Sequence, residues 1–189
     1  LLIPWLGFYW DDFSYQYSLR VFGPLGFVDY VARDRPASAW IYVVTSTLFG
    51  DHPLPYQLLN LGLRIGCAAA LWWLVRTLWP RRGAALAWVP LAFIVYPGFW
   101  QQPISFIYNL HWANLAQELL SLGCMILAVR AAGRRRLGWT AVSLALMLNV
   151  FSLEYAFGLE GLRPLLLFLV LGAAAPAKRA QRVQPKMRA

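Results

Sequence analysis

The chain has 189 residues, of which 60% are hydrophobic, 16% aromatic and only 13% charged, with a net charge of +9. That apolar share exceeds what an ordinary water-soluble domain buries, and the charged share falls well below it, so a conventional soluble globule is excluded. The basic residues sit in breaks between apolar runs and form no aromatic-interleaved patch, so the excess positive charge does not point to nucleic acid.

In chain order, LLIPWLGFYW carries neither a basic leader nor a small-residue cleavage site, and residues 1–10 read as the end of a truncated first span. Residues 11–54 form a long connection, in which 13–31 predicts one short helix and RPASAWIYVVTSTLFG, 35–50, another that is too short to span. The second lies in the membrane interface, with Trp40, Ile41 and Tyr42 turned toward lipid or protein. Apolar runs then predict about five spans within 55–175, at 55–79, 84–100, 112–130, 138–154 and 158–175, the last two being either short spans or a hairpin that dips and returns. Residues 176–189 form a basic tail. The expected fold is therefore all-α: a multi-pass transmembrane helical bundle in one membrane domain, 1–189, with interfacial helices in its first extracytoplasmic loop.

Charge sets the orientation. Arg76, Arg81, Arg82, Arg130, Arg134, Arg135 and Arg136 fall on one face with Lys178, Arg179, Arg182, Lys186 and Arg188, and the positive-inside bias makes that face cytoplasmic. Asp11, Asp12, Asp29, Asp34, Asp51, Glu154 and Glu160 map to the opposite face, with Glu118 about two turns inside its span. The expected location is the plasma or inner membrane, with membrane lipids around the chain and the active face extracytoplasmic.

Chemistry is expected on that outer face. FYWDDFSYQYSLR plants two adjacent carboxylates among aromatic rings; Glu154 ends a span on the same side, and Arg20, Arg33, Arg35 and Arg163 bring positive charge where the inside rule disfavours it. With WQQPISFIYNLHW, rich in amide, hydroxyl and aromatic groups, this makes a vestibule suited to a phosphorylated, sugar-bearing lipid. In transfer from a polyprenyl-phosphate sugar the phosphate leaves readily, so one carboxylate suffices to deprotonate the acceptor hydroxyl while arginine neutralises the phosphate. Adjacent aspartates point in different directions, so one acts while the other holds a cap, an arginine or a metal; a divalent metal ion stays open as a cofactor.

The pair and its surroundings resemble the GT-C class of polyprenyl-phosphate-sugar-dependent membrane glycosyltransferases, which includes the protein O-mannosyltransferases and the lipid A aminoarabinose transferases. WDDFSYQYSLR is similar to that class's acidic pair after the first span, DRPASAWIY to the entry of its juxtamembrane helix, and SLEYAFGLEGLRPLLL to a later S-K-E…P element. The resemblance implies Asp11 as base, Asp12 in place of a glutamate, and Glu154 and Pro164 in the later element, where Leu153 replaces the lysine. Arg163, with Arg20 or Arg35, would meet the donor phosphate, and Tyr108 or Trp112 would stack on or orient the sugar or lipid.

Within the spans, Asn60 and Arg64 share a face, which implies either a packing partner or contact with a phosphate or ion. His111, Asn114 and Glu118 form a stripe at helical spacing and are carried as further contacts; Glu118 either lines the acceptor path or bonds to Asn114 as a neutral acid. A secondary transporter or lipid-binding carrier, with Arg64, His111 and Glu118 on its path, is the rival reading, and a catalytically silent assembly subunit a third. Cys67 and Cys124 lie in apolar runs and read as small hydrophobes, His52 as a turn residue, and no familiar hydrolase, P-loop or paired-cysteine motif occurs.

Overall fold

A computed structural model describes residues 3–96 and 103–183 of the chain. Within them all regular structure is helical. Leu1, Leu2, the Trp100–Gln102 start of the predicted polar loop, and Lys186 and Arg188 of the predicted tail lie outside the described residues.

The long first connection folds into three short helices, α1 (Asp12–Phe22), α2 (Gly26–Tyr30) and α3 (Ala39–Phe49). The single helix expected over 13–31 is two, because Gly23 takes φ of +70°, which favours glycine, and Pro24 follows it. A second left-handed glycine, Gly50 at φ +57°, ends α3. Ile41 and Tyr42 turn into the protein, whereas Trp40 is exposed.

Two long helices follow. α4 (Pro53–Leu78) opens on a proline, whose missing N–H costs nothing in the first helical turn, and α6 (Tyr108–Arg130) matches it in composition. At 1.5 Å per residue they are about 39 and 35 Å long, and both are long and apolar enough to cross a hydrocarbon layer of about 30 Å. Gln57 donates to the Pro103 carbonyl near the start of each helix, and Arg130 donates to the Thr77 and Leu78 carbonyls at their far ends, so α4 and α6 run parallel. The chain returns between them through a 3-10 stretch, Pro80–Ala87, and α5 (Trp88–Val95), shorter than the span expected over 84–100. Small groups let α4 and α6 approach: Gly123 faces the Trp73 indole, and the Cys67 thiol donates to the Trp112 carbonyl at 3.1 Å.

α7 (Gly133–Met147) runs back along α6, joined by a reciprocal pair in which Ser121 Oγ donates to the Ser143 carbonyl at 2.7 Å and Ser143 Oγ to the Ser121 carbonyl at 2.8 Å. After two 3-10 turns and α8 (Phe157–Glu160), α9 (Leu162–Val183) descends again, past the expected tail boundary at 176. Its Val170 joins a core shared by Leu122, Met125 and Ile126 of α6 and Leu74 of α4. A second, aromatic core seals α1–α3 over the start of α4 and α6, centred on Phe106, which stacks on Tyr56 at 4.4 Å and packs against Phe8, Phe27 and Tyr42. We refer to this covered end as the roof.

Candidate functional site

The two aspartates of the opening pair have opposite environments. Asp12 is fully buried, and its carboxylate accepts the backbone N–H groups of Ser105 at 2.8 Å and Ile107 at 3.2 Å. These amides immediately precede α6, so Asp12 caps that helix from another segment, at the end where its dipole favours negative charge. Burial pushes the Asp12 carboxyl above its usual range, and the amide bonds oppose that rise. Of the cap, arginine or metal open to the second aspartate, Asp12 holds the cap.

Asp11 is exposed and makes no ion pair among the described residues. It follows Trp10, a bulky residue held at φ +48°, in the left-handed region that side chains with a Cβ adopt at a cost. The negative charge of Asp11 reaches both Tyr15 and Tyr108.

Those tyrosines lead to two hollows. Tyr15 lines an open polar cavity of about 780 Å³ with Tyr30, Arg33, Asp34, Arg35 and Glu154. Across it Arg35 and Glu154 form a bidentate pair, Nε to Oε2 at 2.9 Å and Nη2 to Oε1 at 2.6 Å. The Arg35 guanidinium holds the Glu154 carboxyl down at about 2, and burial raises the Tyr15 phenol. Tyr108 lines a narrower hollow of about 220 Å³ with His111, Trp112, Leu115 and Leu159, apolar in character. Tyr108 stacks on His111 with centroids 4.5 Å apart, and the charges of Arg35 and Glu154 both reach His111. A third hollow, of about 260 Å³, lies on the far side of Trp112 and is lined by Gln57, Asn60 and Arg64. Arg64 donates to the Ile94 carbonyl at 2.5 Å, so its guanidinium ties α4 to α5.

Asp11, Tyr108, His111, Trp112, Arg35 and Glu154 are thus gathered around the roof end of α6. Other candidates lie elsewhere. Arg20 pairs with Asp51 at 2.6 Å and fastens α1 to the turn before α4. Arg163, expected at the donor phosphate, instead spends its donors on Glu160, Ser143 and Ser121 between the helices. Glu118 is buried beside it, at 3.7 Å from Arg163 Nη2, and does not bond to Asn114, whose Oδ1 accepts from Asn149 instead. Sequence reasoning missed Tyr15, Tyr30 and Asp34 as cavity walls; the alternating charges of Arg33–Asp34–Arg35 were the available signal. Among the described residues no group of three or more His, Cys, Asp or Glu side chains is placed to hold a metal ion.

Comparison of the chain with protein-family models, with curated proteins and with solved structures finds no match in any of the three.

Proposed function

We propose that the chain is the core of a multi-pass membrane glycosyltransferase that moves a sugar from a polyprenyl-phosphate donor to an acceptor hydroxyl on the extracytoplasmic face. In this reading α7 and α9 cross the membrane with α4 and α6, and the roof helices lie in the outer interface. Charge placement supports that orientation: Arg76 and Arg130 stand in the last turns of α4 and α6, away from the roof, where Asp11, Asp34 and Glu154 collect. The exposed stripe of Phe13, Tyr17 and Val21 along α1, with Trp10 just before it, has the composition of an interfacial helix.

The observation that carries the reading is the division of labour between the aspartates. Asp12 is consumed as a helix cap, while Asp11 stays exposed, with its charge felt by Tyr15 of the polar cavity and Tyr108 of the apolar hollow. Asp11 takes the proton of the acceptor hydroxyl as its oxygen bonds to the anomeric carbon, and the bond from that carbon to the phosphate oxygen breaks. Arg33, on the wall of the same cavity, neutralises the departing polyprenyl phosphate, and the Arg35–Glu154 pair fixes the wall beside it. The Tyr108, His111 and Trp112 hollow takes the apolar part of the donor next to its sugar. Arg163 has no part in this scheme.

The test is release of polyprenyl phosphate from a panel of polyprenyl-phosphate sugars by the full chain in lipid vesicles supplied with membrane acceptors. Asp11→Asn is expected to cut turnover by about 10²- to 10⁴-fold. Wild-type turnover in folded Asp11→Asn, or no donor consumed by the unaltered chain, sinks the reading. A second reading, a proton-coupled carrier, is favoured by the group that buried Glu118 forms with half-buried Glu160 and Arg163; uptake abolished by Glu118→Gln without glycosyl transfer would select it.

A further inference from the structure

Glu118 sits on α6 about 15 Å along the axis from its first residue, in a helix apolar enough to span a membrane. There it meets Glu160 of α8 and Arg163 of α9. Arg163 holds Glu160 through Nε to Oε2 at 2.5 Å and Nη2 to Oε1 at 2.8 Å, and reaches Ser143 Oγ at 3.0 Å and Ser121 Oγ at 2.8 Å. One guanidinium therefore faces two carboxyl groups. Glu160 takes the bidentate fork, while Glu118 is left with a looser approach of 3.7 Å and an Oε1 that makes no hydrogen bond. Two ionised carboxylates against one guanidinium would leave an uncompensated negative charge, which a single bound proton removes.

Among the described residues no other charge reaches in to change that count. α7 contributes Ser143 and carries no ionisable side chain from Leu137 to Met147; the described part of α9 adjoining the group carries only Arg163. The nearest titratable groups on α6 are the Cys124 thiol, six residues toward the far end, and His111, seven residues toward the roof, with Arg35 and Glu154 beyond it. Beyond a gap of one helical turn that no hydrogen bond bridges, a polar chain leads the same way. Asn114, one turn above Glu118, accepts from Asn149, and Asn149 Oδ1 accepts from Ser152 Oγ at 3.0 Å, two residues from Glu154 at the roof cavity.

We propose that Glu118 and Glu160 form an intramembrane proton-binding site, in which two carboxyl groups opposite Arg163 share one proton that exchanges with the roof side along Asn114, Asn149 and Ser152. The site is independent of the transferase reading and operates whether or not sugar transfer occurs. Its charge logic is specific: with both carboxyls present the group is neutral only with one proton bound, and with either carboxyl removed the remaining carboxylate balances Arg163 and no proton is needed.

Infrared spectroscopy of the full chain in lipid nanodiscs tests this without reference to turnover. At neutral pH the unaltered chain should show the carbonyl band of a buried carboxylic acid, shifting in D2O. Glu118→Gln and Glu160→Gln should each abolish that band, whereas a lone protonated Glu118 would keep it in Glu160→Gln. Asn149→Leu should keep the band and slow its shift after transfer to D2O. The helical amide band in the same spectra reports folding of each variant. Absence of the acid band in the unaltered chain overturns the proposal, as does its survival in either folded glutamine variant; exchange in Asn149→Leu at the unaltered rate overturns the route.

Discussion

Asp12 Oδ2 accepts the Ser105 amide at 2.8 Å across 93 positions of sequence, and with the Ile107 amide on Oδ1 it ties the roof to the start of α6. Asparagine at position 12 keeps the shape but turns an N–H₂ toward a donor that a carboxylate satisfied, leaving a buried amide unpaired. Asp12→Asn should lower unfolding stability by about 1–3 kcal/mol. Asp11→Asn, on an exposed side chain, should stay within about 0.5 kcal/mol of the unaltered chain. Thermal unfolding in detergent or nanodiscs compares the two, and a larger loss at position 11 would refute the assigned cap.

The two roof carboxyls should respond to acid in opposite senses. Asp12 has its folded value raised above the ordinary 3.8, so the native state holds its proton more tightly. Stability from this group is fully present below 3.8 and declines as pH rises through the raised folded value. Glu154 is held at about 2 against an ordinary 4.5, so its contribution is present above 4.5 and is lost as pH falls toward 2. The Glu154 side chain is 64% exposed, so its effect is small and sensitive to salt. Unfolding midpoints of Glu154→Gln and the unaltered chain should differ at neutral pH and converge as pH falls from 4.5 to 2; a constant gap would contradict the pairing.

At Gly123 a methyl group would fall inside the Trp73 indole, so α4 and α6 can lie as close as they do only without a side chain there. Gly123→Ala should cost about 1–3 kcal/mol through overpacking. The same change combined with Trp73→Leu should recover part of the loss, which unfolding of the three variants measures.

The reciprocal serines of α6 and α7 should be coupled. In a double-mutant cycle, Ser121→Ala and Ser143→Ala are expected to show an interaction of about 0.6 kcal/mol, with about 1.7 kcal/mol as the upper end for polar contacts between membrane helices. Strict additivity would mean that the two hydroxyls act separately. Because Arg163 also donates to both hydroxyls, the cycle should shrink in an Arg163→Gln background.

Apolar length made α4 and α6 legible in the sequence, where expected spans of 55–79 and 112–130 fall within Pro53–Leu78 and Tyr108–Arg130 to a few residues. Charge misled the reading of α7: Arg134–Arg136 were assigned to a loop, yet arginine is a good helix former and the helix starts at Gly133. The break at Gly23 and Pro24 carried its own signal, read too weakly. At the candidate site, the presence of an acidic pair was visible but not which member is free. That depends on amides 93 and 95 positions away, a relationship no local pattern encodes. Arg163 was misplaced for a related reason: its partners on α6 and α7 are serines, residues that attract no notice until helices pack.

Trp112 belongs to the walls of both the 220 Å³ hollow and the 260 Å³ hollow, so one indole is the partition between them. A small side chain in place of that indole would merge the two into one space running from His111 to Arg64.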